Sequence, residues 1–343
     1  MSKPSYDALL VVSFGGPESR EQVIPFLENV LRGKPVPRER MLEVAEHYYH
    51  FEGVSPINSQ LRALIAAIGD ELRQRNVCLP IYWGNRNWHP FLADTIRQMA
   101  AEGKRQALAY VTSAYSSYSG CRQYLEDLEA ARAEVGPGAP QIDKLRVFYN
   151  HPGFVEATAE RVREALGRFS TAERDRVRVL FTAHSIPLAM AEHCDYERQL
   201  RETAELVSAR LQLSHWDLVY QSRSGPPSQP WLEPDVSTAI RAMSGRPGVT
   251  GVVLAPIGFL SDHLEVLYDL DVEAAGVCTE LGLPMARAET VGTHPRFVQM
   301  IRELVEERLD PAVAKLAIGR YGASHDTCPA DCCRYAVRRP PGG

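Results

Sequence analysis

The chain has 343 residues, 45% of them hydrophobic and 24% charged, with a formal net charge of -5. That suits a soluble globular protein of one large domain or two modest ones, and it leaves no basic footprint for nucleic acid. No apolar run approaches the roughly 20 residues that cross a bilayer, and the stretch Met1 to Asp7 lacks the apolar core of a secretory leader. A cytoplasmic protein without a transmembrane segment is the expectation.

In chain order, Ala8-Leu-Leu-Val-Val-Ser-Phe14 reads as a buried parallel strand closed by Gly15-Gly16-Pro17. A helical pattern from Glu21 to Leu31 leads into a loop-rich stretch from Gly33 to Asn58. A helix from Leu61 to Leu72 precedes a strand at Leu79 to Trp83 and a polar, aromatic loop from Gly84 to Pro90. Next come a helix at Phe91 to Met99, a strand at Ala107 to Thr112, and a hydroxyl-dense loop from Ser113 to Gly120. A helix ends near Val135, a strand is expected at Leu145 to Phe148, and a helix from Pro152 to about Phe169 closes the first half.

The second half starts again in the same manner. A strand at Arg176 to Thr182 ends in Ala183-His184-Ser185-Ile186-Pro187, and a helix spans Tyr196 to Leu211. Trp216 to Tyr220 is a strand, followed by a long polar loop to Asp235, a helix, the strand Val249 to Ala255, and a last helix near Arg296 to Arg308. Alternating strands and helices predict parallel βαβ units. Tyr124-Leu-Glu-Asp-Leu-Glu-Ala-Ala131 resembles Tyr268-Asp-Leu-Asp-Val-Glu-Ala-Ala275 at an offset of 144 residues, which is either an internal repeat or a coincidence of helix composition. The expected fold is α/β: two Rossmann-like domains with parallel sheets, residues 1–165 and 166–310, and a cysteine-containing extension at 311–343. Ligands bind such sheets outside the carboxyl ends of the strands, so the loops after Phe14, Thr112, Thr182, Tyr220 and Ala255 surround one cleft.

There is no Gly-x-Gly-x-x-Gly after a strand, no phosphate-binding lysine loop, and no Gly-x-Ser-x-Gly elbow around Ser185. The loop after Ala255 leads instead into an expected helix capped by Ser261. On it Glu265, Asp269 and Glu273 fall four residues apart, in a row on one face, with His263 at the upper end. That row is either a solvated acidic face or a track for cations. His184 stands just past another strand end.

The seven cysteines are Cys78, Cys121, Cys194, Cys278, Cys328, Cys332 and Cys333. The odd number in a chain without a leader argues against a disulfide framework. The first four read as small buried hydrophobes. The last three crowd into six residues, which suggests a soft metal site or an iron–sulfur cluster, with zinc or redox-active thiols as the alternative. Arg338-Arg-Pro-Pro-Gly-Gly343 reads as disordered.

Several of these stretches together carry a resemblance. Thr182-Ala-His-Ser-Ile-Pro187 and Gly258-Phe-Leu-Ser-Asp-His-Leu-Glu-Val-Leu-Tyr-Asp-Leu-Asp271 resemble the ferrochelatase family. So do Ser13-Phe-Gly-Gly-Pro17, Gly53-Val-Ser-Pro-Ile57, Gln221-Ser-Arg-Ser-Gly225 and Pro230-Trp-Leu-Glu-Pro-Asp235, in the family's order over residues 8 to 310. The resemblance implies a porphyrin cleft between the domains and insertion of ferrous iron into the macrocycle in haem biosynthesis. It implies that His184 and Glu265 face each other at the insertion site, with Asp269 and Glu273 behind Glu265 as further metal-handling acids. Ser55 and Tyr124 match porphyrin-contacting positions; Arg32, His47 and Tyr48 match such positions more loosely. Phe14 stands where some members have a tyrosine, so a phenolic ligand is absent there. The tail resembles the C-terminal [2Fe-2S] extension of some members, with Cys328, Cys332 and Cys333 as ligands. The fourth ligand is open between Cys121 and Cys194, with Cys121 ahead.

These residue types suit the chemistry. Insertion removes two pyrrole protons and delivers a dication; a neutral imidazole takes protons near neutral pH, and carboxylates pass a divalent ion along more readily than thiolates do. His184 is assigned to proton abstraction and Glu265 to the metal. Trp88, Tyr115, Tyr118 and Trp231 are expected either to cover the macrocycle or to pack the fold. Protoporphyrin IX and coproporphyrin III are both open, with a lean to the four-carboxylate substrate, whose propionates Arg32 and His47 would meet. A cobalt chelatase for another tetrapyrrole and a non-catalytic haem or metal carrier are the competing functions. A monomer is the default.

Overall fold

The structure, a computed structural model, describes residues 6–335 apart from 35, 227, 244, 245 and 247. The leader reading on Met1 to Ser5 and the disorder expected at Arg338 to Gly343 lie outside the described residues.

Among the described residues the strands form two parallel four-stranded sheets. The first holds β1 (Ala8–Ser13), β2 (Ile81–Asn85), β3 (Gln106–Val111) and β4 (Gln141–Lys144) in the order β2-β1-β3-β4. The second holds β5 (Val177–His184), β6 (Trp216–Gln221), β7 (Gly251–Ala255) and β8 (Met285–Arg287) in the order β6-β5-β7-β8. The same order in both sheets is the architectural form of the internal repeat. The main helices are α1 (Val23–Val30), α2 (Arg38–Tyr49), α3 (Ile57–Gln74), α4 (Leu92–Ala101), α5 (Gln123–Val135), α6 (Pro152–Leu166), α7 (Tyr196–Leu211), α8 (Val236–Met243) and α9 (Pro295–Leu309).

The pleat sorts each strand between two cores. Leu9 and Val11 of β1 share a continuous core with Val179 and Phe181 of β5 and Val253 of β7. Leu10 and Val12 face the other way, with Ile96 and Met99 of α4 and Leu128 of α5. In the second sheet Leu180, Val252 and Leu254 face α8 and the segment after β7. Residues buried on both faces explain why these strands read as unbroken apolar runs.

Two helices fill the shared core and do so reciprocally. Helix α6 closes the first half yet packs on β7, β8 and α7. Helix α9, at the end of the second half, packs on α3 and α6. Both begin with the same device. Asn150-His-Pro-Gly-Phe-Val155 and Thr293-His-Pro-Arg-Phe-Val298 lie 143 residues apart. In each the histidine is the N-cap, and its Nδ1 accepts a backbone N–H, from Gly153 at 3.1 Å and from Arg296 at 3.2 Å. Proline follows at the first helical position, where its missing N–H costs nothing. This pair is a stronger repeat signature than the Tyr124 and Tyr268 stretches.

Three local expectations are corrected. The stretch from Gly33 to Asn58 is not mainly loop, because α2 lies within it. That helix buries Met41, Ala45 and Tyr48 at helical spacing among mostly charged neighbours, which hid it. The fourth strand is Gln141–Lys144 rather than Leu145 to Phe148; it is an edge strand, and the apolar residues after it are core without a ladder. Ser261 caps no helix: the N-cap is His263, and after a single α turn the chain continues as a π-helix, Leu267–Ala274.

After α9 the chain straps across both halves. Arg146 and Glu307 form a bidentate pair at 2.8 and 2.9 Å with side chains 1% and 2% exposed, and the same guanidinium donates to the Leu316 carbonyl. Asn150 accepts from Ile318 and donates to Gly322, Arg320 pairs with Glu202 of α7, and Arg122 donates to the Ala330 carbonyl. Among the described residues no helix is long and apolar enough to cross a membrane. Removing one partner of a buried pair strands the other charge. R146M is therefore expected to cost about 3–5 kcal/mol in urea unfolding, with much of the loss recovered in R146M/E307M. A single variant as stable as the parent contradicts this.

Candidate active site

The site forms where the second sheet ends. His184 is the last residue of β5, in register with Gln221, the last of β6. Its backbone is fixed on both sides: Tyr196 Oη donates to the His184 carbonyl at 3.0 Å, and Ser185 N donates to the Gln221 carbonyl at 2.8 Å. The loop after β7 then crosses the end of β5. A Cβ on Gly258 would lie 2.7 Å from Ala183 Cα, so only glycine allows the crossing. That crossing brings Glu265 Oε2 to 3.7 Å from His184 Nε2. Both side chains remain partly open to solvent, 36% and 45% exposed.

The tautomer follows from the other ring nitrogen. His184 Nδ1 lies 2.6 Å from the Ser185 carbonyl oxygen. A carbonyl only accepts, so Nδ1 carries the hydrogen. In the neutral ring Nε2 then presents a lone pair towards Glu265 and the cleft, an arrangement able to accept a proton.

Behind Glu265 the acidic row follows the π-helix. Its i→i+5 turn is wider than that of an α-helix, so residues four apart overlie one another more closely. Asp269 accepts from Gln221 Nε2 at 3.2 Å and from the Ser222 hydroxyl, whose backbone holds φ +60°. Burial pushes the Asp269 carboxyl up to about 7; the Ser222 hydrogen bond opposes this, and the charges of Glu265 and Glu273 add to it. Glu273 is exposed at the outer end, its carboxyl also raised by desolvation and by Asp235. The three acids thus run from the imidazole outward.

Glu265 is the charge to which its surroundings respond. Burial lowers the His263 and His47 imidazoles, and Glu265 pulls both back up. Burial raises the Tyr48 phenol, and Glu265 raises it further. At Lys34, desolvation and then the Arg86 charge lower the ammonium, again opposed by Glu265. Helix α2 is held against the acidic helix by the His47 ring, stacked on Tyr268 at 3.9 Å and 8°.

The first half supplies the facing wall. Phe14, at the end of β1, is 36% exposed and meets Phe26 edge-on. Ser55 is buried against the Gly16 turn, and Tyr124 is buried beneath the Arg86 guanidinium, 4.4 Å from its ring centroid. Arg86 also pairs with Asp127 and lies 5.9 Å from the Phe14 ring. Arg32 is exposed and bonded to Asn29.

Of the four aromatics left open between covering the macrocycle and packing the fold, two pack the fold. Tyr115 is fully buried, donating to the Ile257 carbonyl at 3.1 Å across the two halves. Trp231 is buried against Gly225, where a Cβ would lie 2.5 Å from its Nε1. Trp88 is half-buried and donates to Gln22, while Tyr118 packs on Tyr335. Sequence reasoning passed over Arg86, Lys34, Gln221 and Ser222. The last two sit in a noted loop, and only the strand register puts them beside Asp269.

A second cluster lies behind the first sheet. Cys121, buried on a π turn at Tyr118–Arg122, hydrogen bonds with Cys328, which holds its thiol below the usual range, with Lys144 acting in the same sense and burial against it. Cys332 Sγ is 3.6 Å from Cys333 Sγ and 4.0 Å from His325 Nε2. The donor atoms of His325, Cys328 and Cys332 lie within 4.8 Å of one another. Cys194 donates its thiol to the Met190 carbonyl at 3.3 Å.

Against this geometry the similarities to known proteins can be weighed. A family model described as Ferrochelatase matches residues 6–309. A protein of Rhodopirellula baltica called ferrochelatase is 60% identical over 98% of this chain and 96% of its own length. A coproporphyrin III ferrochelatase of Streptomyces coelicolor is 49% identical over 98% and 95%. In structure the chain is similar to SirB from Bacillus subtilis, solved with Fe3+, at TM-score 0.58 and 11% identity over 91% of this chain and 99% of that one. That likeness speaks to the fold: two parallel sheets facing a cleft. With the family model spanning both sheets and relatives this similar along nearly the whole length, the chain belongs to the ferrochelatase family.

Proposed function

We propose that His184 and Glu265 carry out metal exchange at the porphyrin in this iron-inserting enzyme, with His184 taking the pyrrole protons and Glu265 handling the ferrous ion. The observation that carries the assignment is the 3.7 Å approach of Nε2 to the Glu265 carboxylate, with Nδ1 committed to the Ser185 carbonyl. Insertion exchanges two N–H protons for one dication, so charge balances at the macrocycle. A basic nitrogen and an oxygen ligand are therefore needed on the same side. Asp269 and Glu273 serve as the supply route behind Glu265. Ser55, Tyr124, Phe14, His47 and Tyr48 form the walls that hold the macrocycle.

For the substrate we favour coproporphyrin III, the porphyrin in the name of the Streptomyces coelicolor relative. Supporting this, Arg86 and Lys34 at the cleft, with Arg32 beyond them, offer cations for four propionates. We further propose a division into residues 1–165, 166–310 and the extension 311–343, and a monomer in the cytoplasm.

We infer that the tail holds a [2Fe-2S] cluster on Cys121, Cys328, Cys332 and Cys333. The donor set fits such a group. A tetrahedral metal with two thiolates at about 2.3 Å sets their sulfurs ~3.8 Å apart, and Cys332 and Cys333 stand at 3.6 Å. Cys328 and Cys332 Sγ both lie within 4.8 Å of His325 and of each other. When bound, the cluster supplies a one-electron redox centre; the residues themselves join the tail to the turn that leads into Tyr124.

H184A and E265Q are each expected to lower kcat for iron insertion by at least about 100-fold, followed anaerobically by porphyrin absorbance. D269N is expected to raise the KM for ferrous iron roughly tenfold with little change in kcat. Equal, negligible effects from all three would return the acidic row to a solvated face. Initial rates on coproporphyrin III should exceed those on protoporphyrin IX by about tenfold, the scale of one charge-assisted bond; the reverse order rejects the substrate assignment.

Asp269 also makes a pH prediction. Its folded value of about 7 lies above the ordinary 3.8, so the native state holds this proton more tightly than the unfolded state does. The proton's stabilisation of the native state is complete below the unfolded value and is lost as pH rises towards 7. The melting temperature of D269N relative to the parent should therefore rise between pH 4 and pH 8 in metal-free buffer. A constant difference counts against the buried-acid account.

A further inference from the structure

Between Asp262 and Glu273 the chain carries five carboxylates and neither lysine nor arginine. Three of them form the row that leads outward from His184. The other two, Asp262 and Asp271, share one partner from outside the segment, Arg287. Arg287 is the last residue of β8 and is paired in register with Leu254 of β7. Its backbone is therefore fixed in the sheet beside the strand end from which the Glu265 loop departs. Its guanidinium grips both acids. Nη1 and Nη2 donate to the two Asp262 oxygens at 3.0 and 3.4 Å, and Nε donates to Asp271 at 2.7 Å. The Arg287 and Asp262 side chains are each 15% exposed, so this pair is largely shielded from the solvent screening that weakens surface ion pairs.

The positions of the two acids decide what the grip does. Asp262 lies three residues before Glu265, ahead of the helix, and Asp271 lies six residues after it, within the π-helix. One side chain thus ties the approach to the helix and the helix itself to the sheet edge, with Glu265 between the two ties. Asp271 is two residues from both Asp269 and Glu273, which puts it on the opposite face from the row. The grip therefore leaves the row facing the cleft. Asp262 is also held from the other half: its backbone N–H donates to Gln60 Oε1 of α3 at 2.8 Å.

We propose that Arg287 is the positioning residue that holds Glu265 against His184 for metal insertion. The inference rests on the Glu265 assignment given above and adds to it a residue from outside the sequence motifs. The guanidinium is engaged by Asp262, Asp271 and the Ala288 carbonyl, so it acts through the segment it clamps rather than on the substrate. A planar fork meets two carboxylates at fixed angles, which a lysine ammonium does not reproduce. Displacing a reacting group by about 1 Å costs on the order of 100-fold in rate, so the loss falls on the chemical step and not on porphyrin binding.

The test uses the full-length chain as parent, R287M, R287K, D271N and E265Q. Melting temperatures are measured, and iron insertion is followed anaerobically well below the lowest transition, with the faster of coproporphyrin III and protoporphyrin IX. R287M should lose at least about tenfold in kcat, with its KM for porphyrin within about twofold of the parent. R287K, which restores the charge without the fork, should fall between them. An arginine that serves stability alone would lower the melting temperature and leave kcat unmoved; that result overturns the proposal. A raised porphyrin KM with kcat kept also overturns it, because the arginine would then shape the porphyrin wall. Should R287M fail to fold, D271N, which releases the helix tie alone, takes its place: a kcat lowered by at least about threefold at constant porphyrin KM supports the proposal, and an unchanged kcat overturns it. An E265Q as active as the parent overturns the Glu265 assignment and this inference together. An impaired E265Q beside a fully active R287M overturns this inference alone.

Discussion

The width of the cleft depends on one packing arrangement, the exchange of α6 and α9 between the two sheets. A parallel sheet with both faces apolar must be covered on both, and here one face of each sheet is covered by a core common to the two. Phe148, Phe154 and Phe297 meet ring to ring at its centre, 5.8 to 6.2 Å apart. Close-packed cores resist displacement, so the ends of β1 and β5 are held at a fixed distance. Loops alone would not hold His184 and Glu265 this well. The imidazole is fixed by β5 and by Tyr196 of α7, the carboxylate by a loop wedged over Ala183, and both supports rest on that core.

Against this rigid frame the site accumulates cost. Three acids are stacked on one helical face, one of them half-buried beside two polar donors. A π-helix, rare in proteins, carries them. Desolvation raises Asp269 and Glu273; the charges of Glu265 and Glu273 add to it at Asp269, and Asp235 does so at Glu273. A row of carboxylates that resists ionising binds a dication and gives it up again with a small change in free energy, which suits transit better than storage. Burial loosens the protons of His47 and His263 beside the acidic row, which lowers the positive charge along the proposed cation route.

Much of this was legible in the sequence, for identifiable reasons. Strands buried on both faces are unbroken apolar runs, so β1, β3, β5 and β7 stood out. Helix α7 is bounded by strong breaks and matches its expected span from Tyr196 to Leu211. The facing of His184 and Glu265 was implied by the family resemblance, whose motifs lie at strand-end loops, and the two side chains stand 3.7 Å apart. Helix α2 was missed because it buries few residues on an otherwise charged surface, and β8 because three residues carry no period. The π-helix was invisible since its residues read equally well as an α-helix. Arg86 was missed for another reason: its meaning depends on burial and on a partner distant in sequence, Asp127. The matched His-Pro-x-Phe-Val starts of α6 and α9 were legible and went unread.

The reciprocal placement of α6 and α9 also bears on how the chain is made. Domains usually fold as units, the first while the second is still being synthesised. Here α3 and α6 in the first half await α9, residues 295–309, before their apolar faces are covered. The leading half therefore leaves the ribosome with exposed core surface and remains unfinished for as long as the second half takes to translate. Vectorial, half-by-half maturation is closed to this architecture. The two sheets match in strand order, yet their halves are not completed independently.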